Sequence, residues 1–234
     1  MRTLGLIGGT SWHSTIQYYR NINQLVNDHF GNNTNPPLIL FNQNQALIHE
    51  LQTKNEWSKI ASLFIASAQR IEQSGASALL FCANTPHKIF DEVEASINIP
   101  IIHISDATSK EILKRGLRKV CFIGTRFSME EDFLLNRFLK NGVEVIMPTD
   151  QNEIIELHRI IQEELTYGKI LAKSKKYVQQ SIQSMMKKGA EGVVLGCTEF
   201  PLMIKDEDLS IPVFNTTHIH AVTAVNYILD DQHA

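Results

Sequence analysis

The sequence has no run of eighteen apolar residues, so no membrane span is expected. Cysteine is scarce. Three in 234 residues is an odd, sparse count that points to a reducing cytoplasm and away from a disulfide framework. Neither sign of charge dominates: 22 Lys and Arg stand against 25 Asp and Glu, for a net charge of −3. That balance offers no surface for nucleic acid and no polybasic membrane patch. Low-complexity stretches are absent. The apolar stretch in Met1–Gly8 is too short for a signal peptide and reads as a first strand. The pattern G-x-G-x-x-G is missing, as is a glycine-rich loop ending in Gly-Lys-Ser/Thr, which leaves no dinucleotide or phosphate-loop fingerprint. Nine histidines include only His218-x-His220 at close ligand-like spacing. No Cys or carboxylate pattern completes a set there, so no metal site is expected.

What is present is a steady supply of Ile, Leu, Val and Phe within a 43% hydrophobic composition. Disorder is excluded for most of the chain, and there is material for one large domain or two small ones. Short apolar runs alternate with helix-patterned segments. The strand candidates are Leu4–Gly8, Leu38–Phe41, Ala78–Cys82, Pro100–His103, Val120–Gly124, Val143–Met147, Val193–Leu195 and Pro212–Phe214. Most are near-continuous apolar runs, as parallel strands buried on both faces require. Between them, Ile60, Leu63, Phe64, Ala68 and Ile71 form one apolar helix face that Gly75 stops. Ser128 with Glu131, and Asp150 with Glu153, read as capping boxes, and a helix is expected from Ile170 to Lys188. Gly31–Pro37 is the strongest loop signal. The alternation predicts a parallel α/β fold.

The chain also repeats itself. Gly75–Pro86 lies without gaps on Gly189–Phe200, 114 positions on (75 to 189). Arg2–Gly8 lies on Arg118–Gly124 at 116 (2 to 118), and Ile99–Ile102 lies on Ile211–Phe214 at 112 (99 to 211). Three ordered matches at nearly one spacing predict two pseudo-symmetric, three-layer lobes, each with a four-stranded parallel sheet. The expected boundaries are 1–105, joined by a closing helix over 216–234, and 106–215. Ligands of parallel α/β units sit beyond the carboxyl ends of the strands, so the active site is expected in an inter-lobe cleft lined by the same loop from each half.

Those loops carry the chemistry-bearing residues. Cys197 follows a buried strand where a helix should begin, a setting expected to lower its pKa and expose its sulfur. In the gapless repeat Cys197 aligns with Ala83, whereas Cys82 aligns with Gly196. One residue of displacement turns a strand side chain to the other face, so Cys82 is either a direct acid/base or a packing residue. Cys121 lies inside a strand and reads as core. Gly8-Gly9-Thr10-Ser11 permits close backbone approach to a ligand and offers hydroxyl donors. His87, one helical turn after Asn84, is a candidate for anchoring the loop or relaying a proton, and Glu199 for orienting the thiol or holding a substrate amine.

Gly196-Cys-Thr-Glu-Phe-Pro-Leu202, Ala83-Asn-Thr-Pro-His87 and Gly8-Gly-Thr-Ser-Trp-His-Ser-Thr15 together resemble the aspartate/glutamate racemase family, specifically its cofactor-independent aspartate and broad amino-acid racemase branch. The similarity covers essentially the whole chain. It implies an isomerase that needs no cofactor, acts on a small amino acid, and is commonly a homodimer. It implies a mechanism in which two thiols on opposite faces of the substrate Cα remove and return the α-proton. Carried onto this chain, Cys197 is the second-half acid/base. Asn84, Thr85 and Thr198 hold the carboxylate and amine, Thr10 and Ser11 line the floor, and Gln52 matches a polar residue of the branch. Arg126, Lys169 and Arg20 are candidates for side-chain recognition by charge alone.

Ala83 departs from the family pattern, because alanine cannot transfer a proton. A positioned acid or base is worth about 10²–10⁴ in rate. Three outcomes follow from the sequence: Cys82 or a held water serves in its place; the chain runs one-sided decarboxylase or isomerase chemistry on a single thiol; or it binds an amino acid without turnover.

Overall fold

Leu4–Gly8 (β1) is buried at every position and pairs in parallel with Leu38–Asn42 (β2) on one side and Ala78–Phe81 (β3) on the other. Between them run Trp12–Phe30 (α1), Gln45–Thr53 (α2) and Trp57–Gln73 (α3), followed by a 3₁₀ turn at Thr85–Ile89 and Phe90–Glu94 (α4). This computed structural model describes residues 1–230, and the last four positions of the expected closing helix lie outside the described residues. The chain divides into two compact units, Met1–His103 together with the chain from His220, and Ile104–Ile219.

The second unit contains Ile104–Lys114 (α5), Lys119–Gly124 (β4), Arg126–Glu130 (α6), Asp132–Lys140 (α7), Glu144–Ile146 (β5) and Gln151–Arg159 (α8). A π turn at Ile160–Glu164 and a 3₁₀ turn lead to Ala172–Lys187 (α9), Val193–Gly196 (β6), Phe200–Met203 (α10) and Val213–Asn215 (β7). Thr216–Leu229 (α11) begins in this unit and finishes in the first. Among the described residues, no helix is long and apolar enough to cross a membrane.

Strand order is β2-β1-β3 in the first sheet and β5-β4-β6-β7 in the second. The repeat extends to register. Gly5 pairs with Leu79 and Cys121 with Val193, which are the same rung after adding 116 and 114. The single bridge Leu79–Ile101 corresponds to Val193–Val213 in the same way, after adding 114 and 112. Entry to the inner strands matches too. Ser77 N–H donates to the Thr3 carbonyl and Glu191 N–H to that of Lys119, both at 2.8 Å. Gly75 and Gly189 take positive φ, 90° and 97°, where each preceding helix stops.

The first sheet differs from the expectation of four strands: its fourth is reduced to that one bridge at Ile101. The Ile102 carbonyl, next along the ladder, accepts the His220 Nε2–H at 2.7 Å, so a side chain takes the rung that continues the pairing in β7. The Ser128 capping box is not formed. Ser128 lies inside α6 with Oγ–H donating to the Thr125 carbonyl, and the helix breaks at Glu131 into extended backbone before α7. Asp150 does cap α8, accepting the Asn152 N–H at 2.9 Å. Helix α9 starts at Ala172, two residues after the expected Ile170. Gly31–Pro37 carries no helix or strand.

Cores follow strand alternation. In the first unit Leu4, Leu6, Ala78 and Leu80 face Tyr18, Ile22 and Val26 of α1 and Ala221, Ala224 and Val225 of α11. Ile7, Leu79 and Phe81 face the opposite layer, with Phe64 and Ile71 of α3. In the second unit one continuous cluster surrounds Phe122, Val194 and Leu195.

Gly196 has no room for a β-carbon, which would come within 2.0 Å of the buried Phe122 ring. Gly196→Ala should therefore cost about 1–3 kcal/mol, read as a lower urea midpoint at unchanged slope. His220 tests a second constraint. Tyr18 Oη–H donates to its Nδ1 at 2.8 Å while Nε2–H is held by Ile102, so the ring is neutral, and burial pushes its pKa down to about 4. Between pH 6.5 and 4 the unfolded chain takes up a proton there that the folded chain refuses. Stability should fall with pH across that window, by up to about 3 kcal/mol. Urea midpoints against pH should show a flatter decline in His220→Gln, and an identical slope would contradict this assignment.

Candidate active site

Each unit presents two turns at the carboxyl end of its central strand pair. In the first unit, β1 ends at Gly8 and turns through Gly9, whose φ is +86°. A β-carbon there would lie 2.1 Å from the Gln43 carbonyl oxygen, so only glycine fits. Gly9 N–H donates to Thr15 Oγ1 at 3.0 Å, and Ser11 caps α1 by accepting the Ser14 N–H. Thr10 is buried between them, and its carbonyl accepts the His49 Nε2–H at 3.0 Å. That contact fixes α2 against the turn. Gln52, three residues further along α2 and also buried, lies on the same helix side.

The second turn of this unit follows β3. Ser14 Oγ–H donates to the Cys82 carbonyl at 2.5 Å, and the chain then bends through Ala83 and the buried Asn84 and Thr85. Cys82 continues the alternation of Ala78 and Leu80, so its thiol lies in the cluster under α1 and α11. Burial pushes that thiol well above the usual range. Of the two readings left open by the sequence, this is the environment of a packing residue.

In the second unit, β4 and β6 end side by side with Gly124 opposite Gly196. Cys197 follows, 5% exposed, and its Sγ accepts the Phe200 N–H at 3.2 Å. Thr198 and Glu199 are half-buried beside it. The expectation of a lowered thiol pKa is corrected: it lies well above the ordinary value. Burial is the largest cause and the Glu199 charge the next, while the Phe200 and Glu199 amides pull the other way. Helix α10 is only four residues long, so its amides cannot outweigh the loss of water.

The turn after β4, Thr125-Arg126, is the counterpart of Gly9-Thr10 at the same displacement of 116 (9 to 125), and it carries Arg126, one of the cations named for substrate recognition. Arg126 N–H donates to His158 Nδ1 of α8 at 3.3 Å, and the Arg126 guanidinium pairs with Glu130 at 3.3 Å. Of the other cations named for substrate recognition, Arg20 is on the exposed side of α1 among Asn23, Asn27 and Asn33. Lys169 lies over the Tyr167 ring in the connection before α9. His218 is exposed, and both nitrogens of His220 are engaged. Among the described residues, no group of three or more His, Cys, Asp or Glu is arranged to hold a metal ion.

A sequence model of the Asp/Glu/hydantoin racemase family matches residues 7–224, and the chain belongs to that family. A Yersinia pestis structure described as a candidate Asp/Glu racemase is 40% identical, with a TM-score of 0.93, covering 98% of this chain and all of the other. An aspartate racemase homologue from Pyrococcus horikoshii is 37% identical, with a TM-score of 0.88 and the same coverage. The broad specificity amino-acid racemase RacX of Bacillus subtilis is 22% identical over 166 residues, 70% of each chain.

Glu199 gives the thiol environment a direct test. Removing its charge removes a cause that raises the Cys197 pKa, so Glu199→Gln should increase the thiolate fraction. Alkylation of Cys197 by iodoacetamide near pH 8, followed by mass spectrometry, should be several-fold faster in the variant. An unchanged rate would mean burial alone sets the thiol.

Proposed function

We infer that this chain is an aspartate/glutamate-type amino-acid racemase that works without a cofactor, with Cys197 exchanging the substrate α-proton. The observation that carries this reading is Cys197 itself: a thiol in the turn at the end of β6, held by a backbone N–H and flanked by Glu199. The Glu199 carboxylate beside it keeps the thiol protonated until the substrate amine pairs with Glu199 and offsets that charge, whereupon the thiol gives its proton to solvent. The resulting thiolate takes the proton from Cα, and the electron pair left behind spreads into the α-carboxylate. Asn84, Thr85 and Thr198 hold that carboxylate and the amine, and their donors favour the developing charge. Thr10 and Ser11 line the floor, and Gln52 reaches the substrate from α2.

Residue 83 supplies no proton for the opposite face and the Cys82 thiol packs in the core, so inversion draws its returning proton from a water held by Asn84 or Thr85. These two facts favour, as a second reading, one-sided chemistry in which a decarboxylase or isomerase uses Cys197 alone.

Proton NMR in D₂O across a panel of L- and D-amino acids separates the readings. Racemisation predicts loss of the α-proton signal together with inversion for at least one small acidic amino acid. One-sided chemistry predicts deuterium incorporation with retention. Cys197→Ser should lower either rate by about 10²-fold or more, and Ala83→Cys should raise inversion. No exchange with any substrate, or an unchanged rate in Cys197→Ser, would overturn the enzyme reading. Tight amino-acid binding by calorimetry without turnover would instead mark a binding protein.

A further inference from the structure

The two turns that follow β3 and β6 superpose in sequence but are stitched differently. In the second unit, the Cys197 side chain accepts the Phe200 N–H and closes the turn. Subtracting 114 from each partner gives Ala83 and Pro86. Alanine has no side-chain acceptor and proline has no N–H, so the first turn cannot form that bond from either end. Another side chain fills the role. His87 is 3% exposed, and its Nδ1 lies 3.1 Å from the Asn84 carbonyl. A carbonyl only accepts, so Nδ1 carries the proton; the Ala83 carbonyl also interacts with this ring. The His87 N–H donates to the same Asn84 oxygen at 3.1 Å. The ring is walled in by Phe81, Phe90, His103 and His220, with centroids 4.6 to 6.4 Å away. It acts from beneath the turn, on the core side.

We propose that His87 is the positioning residue of the first turn: its Nδ1–H holds the Ala83–Asn84 backbone so that the Asn84 and Thr85 donors face the substrate, doing for this turn what the Cys197 sulfur does for the other. The proposal rests on the racemase reading for its consequence in turnover, and on geometry alone for its consequence in the loop. His87 transfers no proton to substrate, so its loss weakens substrate binding more than the chemical step.

The test compares two substitutions of similar polarity. The amide of Asn places its N–H near the imidazole Nδ1, whereas that of Gln places it near Nε2. His87→Asn should keep amide hydrogen exchange at Asn84, Thr85 and position 87 near wild type, while His87→Gln should accelerate it by about tenfold, the worth of one hydrogen bond. In turnover, His87→Gln should raise KM several-fold with kcat changed less, and His87→Asn should restore KM. Equal exchange rates in the two variants would overturn the positioning role whether or not the protein turns over. Absence of turnover in the wild type would overturn the racemase reading alone, because the exchange comparison stands without it.

Discussion

Gly124 and Gly196 face each other at the last rung of β4 and β6, and neither has room for a β-carbon. A β-carbon on Gly124 would meet Ser128 Oγ at 2.6 Å, and one on Gly196 would enter the Phe122 ring. This close approach lets Thr125 and Cys197 leave the sheet at one level, side by side. The equivalent end of the first unit obeys the same limit, with Gly8 pressed against Thr15 and Gly9 against the backbone of Gln43. The strands at the carboxyl edge of each sheet end together because small residues stand at these rungs.

Around that constraint the two units keep one hydrogen-bond ladder and diverge in what is mounted on it. The inner rungs coincide residue for residue. The outer rung does not, because His220 takes the Ile102 carbonyl and shortens the fourth strand of the first sheet to one bridge. The turns diverge as well. One bears a buried thiol closed onto an amide, and the other bears alanine and proline closed by an imidazole. Backbone pairing is insensitive to side-chain identity so long as alternation and small end residues are kept, whereas the turn is made of side chains.

Electrostatics in both units are ruled by burial. His220 and His87 are kept neutral by loss of water, which exceeds the help of the carbonyls they bind. Cys197 is kept protonated for the same reason, with Glu199 adding to the effect.

Much of this was legible in the linear chain. Continuous apolar runs set off β1, β3, β4 and β6, because a strand buried on both faces tolerates little else. The repeat located Cys197 opposite Ala83, and the one-residue displacement of Cys82 left its direction open. Other features required the folded chain. The direction of the Cys197 pKa, the Tyr18–His220–Ile102 chain of contacts and the grip of His87 on Asn84 join groups through burial and distance, which have no signature in residue order. The Ser128 capping box failed for a related reason: its hydroxyl found the nearer Thr125 carbonyl. Local pattern by itself determined which segments form the inner strands and which residues follow them, since apolar runs and the internal repeat are properties of residue order. Only tertiary structure decided what state those residues hold, since desolvation is set by everything packed around them.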